Sequence, residues 1–411
     1  MSDPLSSDAT ILVVGASLAG LRAAEEVRHE GHSGPVIIVG DEIHAPYDRP
    51  PLSKQVLAGD WDVERIHHHT PEKLDALGLE FRLGRRAASL DSEARTLVCN
   101  DGEQVRYDGL VVATGARPRR LAGTDGLAGV HCLRTLDDCL AIRADIESAG
   151  PGARVVVIGA GFIGAEVAAT CHGLGARVTV VEALPTPLAG VLGEQMGEAC
   201  AGLHRAAGVT LLTGVGVDRI ASDAVGSSRL VVNLADGTEV EADLVVVGIG
   251  VIPATEWLED SGVSTDNGVL CSETLFAAEH VVAAGDVARW RRPGTGVLQR
   301  VEHWTNAAES GAAAARNLLA GSSNAEPYDP VPFFWSDQYK TKIQMIGLPG
   351  RDDEVVVVDG SVEEGKLVAL YRRGDRLQSV LAFSRPRQLM AYRPLLAAGA
   401  SFDEALAVTR S

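Results

Sequence analysis

One strand–turn–helix–strand motif occurs in both halves of the chain, and the C-terminal fifth is a series of alternating apolar stretches. Together these predict an α/β protein: two Rossmann-like dinucleotide-binding domains followed by a C-terminal α+β domain. In the first copy Ile11 to Gly40 reads ILVVGASLAGLRAAEEVRHEGHSGPVIIVG, and in the second Arg154 to Val181 reads RVVVIGAGFIGAEVAATCHGLGARVTVV. Each has an apolar strand, a glycine-rich turn, an alanine-rich helix, a glycine-marked stop and a second apolar strand, which is the signature of a βαβ unit. The far ends match as well. DGEQVRYDGLVVATGARP (Asp101 to Pro118) parallels DGTEVEADLVVVGIGVIP (Asp236 to Pro253), each an Asp-Gly turn leading into a β-branched strand that stops at glycine and proline.

The remaining elements follow in order. HVVAAGDVARW (His280 to Trp290) contains a further short strand, and the alanine-rich stretch from about Asn306 to Leu319 predicts a helix. GSSNAEPYDP (Gly321 to Pro330) reads as a linker. Beyond it KIQMIGL, EVVVVDG, LVALYRR and SVLAFSR predict an antiparallel sheet with a short helical tail. The expected domains are 1–117 with 248–325, 118–247, and 326–411.

Composition limits the function. A chain of 411 residues exceeds what one core usually serves, and 46% hydrophobic content with 45 glycines and 4% aromatics excludes disorder. A net charge of −18 argues against nucleic-acid binding, which needs a basic surface. The polar start MSDPLSSDAT is no secretory signal, and no apolar run approaches the roughly 20 residues of a membrane helix, so a cytoplasmic location with no membrane partner is expected. The six cysteines (Cys99, Cys132, Cys139, Cys171, Cys200 and Cys271) include no C-x-x-C pair and are expected to be reduced core residues.

The glycine turns carry the first chemistry. Gly159, Gly161 and Gly164 form a complete G-x-G-x-x-G. The first glycine makes the tight turn, the second admits a pyrophosphate to the backbone, and the third lets helix and strand pack closely. Phosphates then rest on the helix N-terminus. Glu182, about twenty residues on, can accept bonds from both adenosine ribose hydroxyls and repel a 2′-phosphate, which favours NADH over NADPH. The first repeat, Gly15-Ala16-Ser17-Leu18-Ala19-Gly20, has Ser17 at the second glycine position, and its terminal acid is Asp41, with the adjacent Glu42 as the alternative.

At this point the sequence resembles the FAD-dependent pyridine-nucleotide reductases, specifically the ferredoxin reductases of bacterial oxygenase systems, a group built on the glutathione-reductase-like fold. The resemblance rests on GASLAG, PYDRPPLSK (Pro46 to Lys54), ATGARPR (Ala113 to Arg119), LRTLDD (Leu133 to Asp138), GAGFIGAE (Gly159 to Glu166), AAGDVA (Ala283 to Ala288) and FFWSDQY (Phe333 to Tyr339). It implies FAD contacts at Gly15, Ser17, Ala19, Gly20, Asp41 or Glu42, Arg49, Lys54, Ala87, Ala113, Thr114, Gly115, Arg134, Asp286 and Trp304. It implies NAD contacts at Gly159, Gly161, Phe162, Ile163, Gly164, Glu166, Glu182 and Gly250.

Lys54 and Glu166 are the implied catalytic residues, the lysine close to the flavin N5 and the acid, in the first turn of the NAD helix, pairing with it. The three prolines around Arg49 and Lys54 hold both on a stiff arm. Disulfide reductases of the superfamily carry their cysteine pair in this region, and no cysteine occurs between Met1 and Glu93, so thiol chemistry is disfavoured. The resemblance implies hydride transfer from NADH to FAD, then single electrons to an iron–sulfur ferredoxin feeding a haem monooxygenase or a Rieske dioxygenase. Arg289, Arg291 and Arg292, with Arg300, Lys340 and Lys342, are the expected docking face for an acidic ferredoxin. His67-His68-His69 lies in a segment expected to be solvated, and no metal site is expected there. The expected assembly is a monomer or homodimer. Rubredoxin reductases, nitrite-reductase partners, NADH oxidases and NADH-responsive scaffolds like apoptosis-inducing factor share the cofactor motifs and stand as alternatives.

Overall fold

In the computed structural model residues 2–222 and 229–408 are described, and the chain forms two compact units. The first comprises Met1–Asp48, Glu64–Arg117 and Ile252–Pro332, and the second Arg49–Val63, Pro118–Val251 and Phe333–Ser411. The extreme ends of the expected domains, residues 1 and 409–411, lie outside the described residues.

The first unit is built on a six-stranded sheet in the order Phe276–Ala278, Val281–Ala283, Gly109–Val112, Ile11–Val14, Val36–Val39, Glu80–Arg82, parallel except at the Phe276–Ala278 edge. Ile11–Val14, Val36–Val39 and Gly109–Val112 are buried at every residue. That explains why they read as unbroken apolar runs: parallel strands covered on both faces have no solvent side to mark with polar residues. The helices Leu18–His29 and Trp304–Ala320 pack closely, because a Cβ on Gly311 would lie 2.4 Å from the Ala19 carbonyl oxygen. Two small sheets complete the unit: an antiparallel meander of Ala87–Asp91, Thr96–Cys99 and Gln104–Arg106, and a mixed sheet in which Ala288–Arg291 pairs parallel with Val269–Cys271 and antiparallel with Leu298–Gln299.

The second unit repeats the plan with five parallel strands in the order Thr210–Thr213, Arg177–Glu182, Arg154–Ile158, Leu244–Val247, Val130–Cys132. In both sheets the strand that opens the repeat lies between its own βαβ partner and a strand from much later in the chain. That strand-order switch opens a crevice at the carboxyl ends, where ligands of such sheets bind.

The expected three-way division differs from the observed units in two respects. The C-terminal sheet, ordered Phe333–Gln338, Thr341–Gly347, Arg376–Phe383, Lys366–Arg373, Glu354–Ser361, belongs with the second unit. Its face shares a core with the helix Ala189–Ala206, where Leu192, Met196 and Cys200 meet Phe334, Met345, Tyr371 and Leu381. That helix breaks at Gly193 (φ 77°), and the Leu192 carbonyl accepts the Tyr371 hydroxyl at 2.8 Å. The proline arm Arg49–Val63 also belongs to the second unit. The Leu52 carbonyl accepts Cys139 Sγ at 3.1 Å and the Ser53 carbonyl accepts Thr170 Oγ1 at 2.7 Å, which fastens the arm to the helices Leu136–Ala149 and Phe162–Gly173. Among the described residues no helix is long and apolar enough to cross a membrane.

Candidate functional site

The first and third glycines of the two turns are built alike in the two units. Gly15 has φ +120° and donates its N–H to Val39 at 2.8 Å; Gly159 has φ +96° and donates to Val181 at 2.8 Å. A Cβ on Gly15 would lie 2.1 Å from the Ala113 carbonyl oxygen, and one on Gly159 would lie 2.4 Å from that of Gly248. The third glycines are as constrained, since a Cβ on Gly20 would fall 1.8 Å from the Gly15 oxygen and one on Gly164 2.1 Å from the Gly159 oxygen. Turn, helix and neighbouring strand thus meet at backbone contact distance in both units.

The second position behaves differently. A Cβ on Gly161 would meet nothing within 4 Å, so the ground in front of the helix Phe162–Gly173 is open. Gly161 is also the N-cap and has no side chain to satisfy the first N–H groups of that helix. Exposed N–H groups, a dipole favouring anions and space for a group to approach are what a diphosphate needs. The residues present fit a dinucleotide. Ser17 is the extended N-cap of Leu18–His29 in the first turn.

Glu182 is fixed by two backbone donors, Ala160 N at 2.8 Å and Leu184 N at 2.9 Å, one on each carboxylate oxygen. A carboxylate oxygen retains further lone pairs, so this grip leaves room to accept ribose hydroxyls. In the first unit the residue at this register differs. Gly40 occupies the position equivalent to Glu182, because a Cβ there would lie 2.5 Å from Ala16 Cβ. The acids follow it: Asp41 is exposed, and the half-buried Glu42 accepts the Tyr47 hydroxyl.

Of the other expected FAD contacts of the first unit, Ala113 and Thr114 lie against the Gly15 turn, and the rest stand on other elements. Ala113 N donates to Val14 at 2.8 Å, Thr114 Oγ1 donates to the Ala254 carbonyl at 2.7 Å, and Gly115 has φ +66°. Ala19 is a packing residue pressed from two sides: besides Gly311, a Cβ on Gly285 would lie 2.9 Å from its methyl. Asp286 sits in the short turn Gly285–Val287, which Ser310 steadies by accepting the Gly285 N–H at 2.8 Å. Ala87 opens its strand, half-buried. Trp304 Nε1 donates to Asp48 Oδ1 at 2.6 Å, a partner the sequence reading did not single out.

In the second unit Gly250 has φ +94° and its carbonyl accepts Arg119 N at 2.9 Å. Ile163 is exposed beside the open turn, whereas the Phe162 ring packs on Phe334 with centroids 4.7 Å apart. Arg49 Nη1 donates to the Arg134 carbonyl at 2.6 Å. LRTLDD is a helix start: Thr135 and Asp138 form a reciprocal capping box, and Arg134 N donates to Asp138 at 2.9 Å.

Lys54 and Glu166, far apart in sequence, meet with Nζ 2.7 Å from Oε2. Glu166 lies beyond the first turn of its helix, one residue further than the sequence reading placed it. Its depth explains its burial, with 7% of the side chain exposed. Ser53 Oγ donates to the same oxygen at 2.5 Å, while Ser336 Oγ at 2.9 Å and Asp337 N at 3.0 Å donate to Oε1. Ser53, Ser336 and Asp337 were missed. Their signal lay in the motifs SK and FFWSDQ, where strand alternation turns Phe334, Ser336 and Gln338 to the buried side.

Three expectations about side chains are sharpened or corrected. All six cysteines are free and buried, and burial pushes the thiols of Cys139, Cys171, Cys200 and Cys271 up to about 12, far from reactive thiolates. The histidine run is not solvated: His67 bridges to Tyr47, His68 is depressed by burial, and His69 pairs with Glu25, because the segment lies against the first repeat. Arg289 and Arg291 stand on a strand around the fully buried Trp290. Arg289 is paired with Asp266 at 2.6 Å and Arg292 with Asp329 at 2.9 Å, so much of that positive charge is spent internally.

Two anion-ready glycine turns on two duplicated sheets, with no reactive thiol, define a protein built to hold two dinucleotides for redox chemistry. Residues 9–311 match the pyridine nucleotide-disulphide oxidoreductase family and residues 333–411 a reductase C-terminal domain. The chain belongs to the pyridine nucleotide-disulphide oxidoreductases, in the branch that carries this C-terminal domain. It is 37% identical to rhodocoxin reductase of Rhodococcus erythropolis, over 98% of this chain and 95% of that protein. It is 38% identical to the biphenyl dioxygenase system ferredoxin--NAD(+) reductase component of Paraburkholderia xenovorans, over 88% and 86%. The crystal structure of a covalent putidaredoxin reductase–putidaredoxin complex superposes with a TM-score of 0.90 at 32% identity, covering 96% of this chain and 94% of that one.

Proposed function

We propose that this chain is the NADH-dependent ferredoxin reductase of an oxygenase system. The observation that carries the reading is that a chain with two dinucleotide cradles and no thiol relay is related along almost its whole length to reductases named for that activity. FAD, when bound, takes up two electrons as a hydride from NADH and releases them singly. The product ferredoxin would supply a haem monooxygenase or a Rieske dioxygenase.

In this reading the first repeat holds the FAD diphosphate at Gly15, Ser17 and Gly20, with Thr114, Asp286 and Trp304 along the cofactor. Asp41 takes the adenosine ribose, because it is exposed while Glu42 is engaged by Tyr47. Gly159, Gly161 and Gly164 hold the NADH diphosphate, and Glu182 receives the ribose hydroxyls and repels a 2′-phosphate. Lys54 is the catalytic cation and Glu166 the acid that fixes it, and a positive charge held in place beforehand favours the transfer of negative charge to the flavin. Arg291 is the centre of the ferredoxin-docking face, since Arg289 and Arg292 are engaged in ion pairs. The reaction belongs in the cytoplasm, where six unpaired cysteines are at home.

The test is NADH-driven reduction of a panel of small iron–sulfur ferredoxins by the purified protein. A yellow preparation that reduces at least one ferredoxin supports the reading; protein that stays colourless when FAD is supplied, or reduces ferricyanide but no ferredoxin, overturns it. For docking, Arg291→Glu should raise KM for the ferredoxin, more at low salt, with NADH–ferricyanide turnover unchanged. An unaltered KM removes Arg291 from the face.

A further inference from the structure

We propose that Ser336 is a positioning residue for flavin reduction: through Glu166 it fixes Lys54, so the C-terminal sheet takes part in setting the charge at the reaction centre. The inference rests on the catalytic reading of the Lys54–Glu166 pair and names a residue outside both nucleotide-binding repeats.

The argument starts from how many partners the carboxylate has. An ionised carboxylate offers about four acceptor directions, and Glu166 has four donors: Lys54 Nζ and Ser53 Oγ on one oxygen, Ser336 Oγ and Asp337 N on the other. Two come from the proline arm and two from the first strand of the C-terminal sheet, so the carboxylate is gripped from opposite chain segments of one unit. Ser336 has no exposed surface, and its hydroxyl also accepts Gln338 Nε2 at 3.4 Å. A hydroxyl in the middle of a buried strand costs stability unless it is bonded. Here its bond is to a charged group, the stronger kind. With Oε1 pinned by Ser336 and Asp337, Oε2 is left facing Lys54; without the hydroxyl Oε1 keeps only the longer Asp337 N–H bond, and the carboxylate that fixes Lys54 is held less rigidly.

The test is a double-mutant cycle in the FAD-loaded protein, with the limiting rate of flavin reduction by NADH read in stopped flow. Ser336→Ala should slow it about tenfold, the scale of one hydrogen bond to a charged group, leaving the apparent Kd for NADH unchanged. In a Lys54→Met background the same substitution should cost less than about twofold, because the cation through which it acts is gone. Ser336→Thr, which keeps the hydroxyl, should restore the rate. Hydrogen exchange of the peptide containing Lys54, measured also without FAD, should quicken in Ser336→Ala. If Lys54→Met alone leaves reduction unaffected, the catalytic reading of the ion pair falls, and this inference with it. If Lys54→Met slows reduction but Ser336→Ala does not, or if its effect is as large in the Lys54→Met background, the positioning role alone is overturned.

Discussion

Replacing Glu166 with alanine takes away the carboxylate that balances Lys54, and the structure fixes how costly this is relative to the converse change. The two side chains are 7% and 12% exposed. Removing one partner from a buried pair costs about 3–5 kcal/mol, since the other charge stays desolvated and uncompensated. Lys54 donates to Glu166 at 2.7 Å and, more weakly, to Ser53 Oγ at 3.5 Å. Because the slightly exposed lysine can turn partly to water, about 3 kcal/mol is expected for Glu166→Ala. Lys54→Met is different: the thioether fills the volume of the lysine stem, and the carboxylate keeps three donors, so about 1–2 kcal/mol is expected. The assay is urea unfolding of the FAD-loaded protein, comparing midpoints at equal slope. If Lys54→Met proves as destabilising as Glu166→Ala, the carboxylate is not held by Ser53, Ser336 and Asp337, and the asymmetry reasoned from those contacts is wrong.

Gly159→Ala should abolish tight NADH binding while leaving FAD content intact, because the added methyl would meet the Gly248 carbonyl at 2.4 Å in a backbone with φ +96°; calorimetric titration with NAD+ beside the 450 nm absorbance checks it, and an unchanged Kd counts against the cradle. Glu182→Ala should shrink the preference for NADH over NADPH in kcat/KM, and a constant ratio would show that the acid does not read the ribose. His204, buried with Nδ1 2.7 Å from the Tyr339 hydroxyl, is lowered by burial to about 4. The unfolded chain binds that proton near pH 6.5 and the folded chain only near 4, so the stabilisation is complete above pH 6.5 and is lost as pH falls toward 4, by up to about 3 kcal/mol. In His204→Gln the fall in urea stability across that window should be smaller by this amount; an identical fall would assign it elsewhere.

The duplicated βαβ units, their glycine turns and the alternating C-terminal strands were legible in the sequence because each depends on local rules: a period of two or of about 3.6, and a backbone that only glycine can adopt. Those rules placed Gly15, Gly20, Gly159, Gly164 and Glu182 on the elements the structure gives them. What the fold alone decided involves residues distant in the chain. Glu166 gathers donors 112, 113 and 170 residues away, and no periodicity announces which buried serine will meet it. The proline arm joins the second unit, not the first, because its carbonyls find donors on Cys139 and Thr170. Gly40, not an acid, stands at the register of Glu182 because Ala16 fills the space beside it. Likewise Arg289 and Arg292 read as a basic patch until Asp266 and Asp329 are brought beside them. The sequence by itself determined which backbone segments could hold diphosphates, since that is a property of short turns. Only the tertiary structure decided which charges are balanced, since a Coulomb partner is chosen by distance in space and not along the chain.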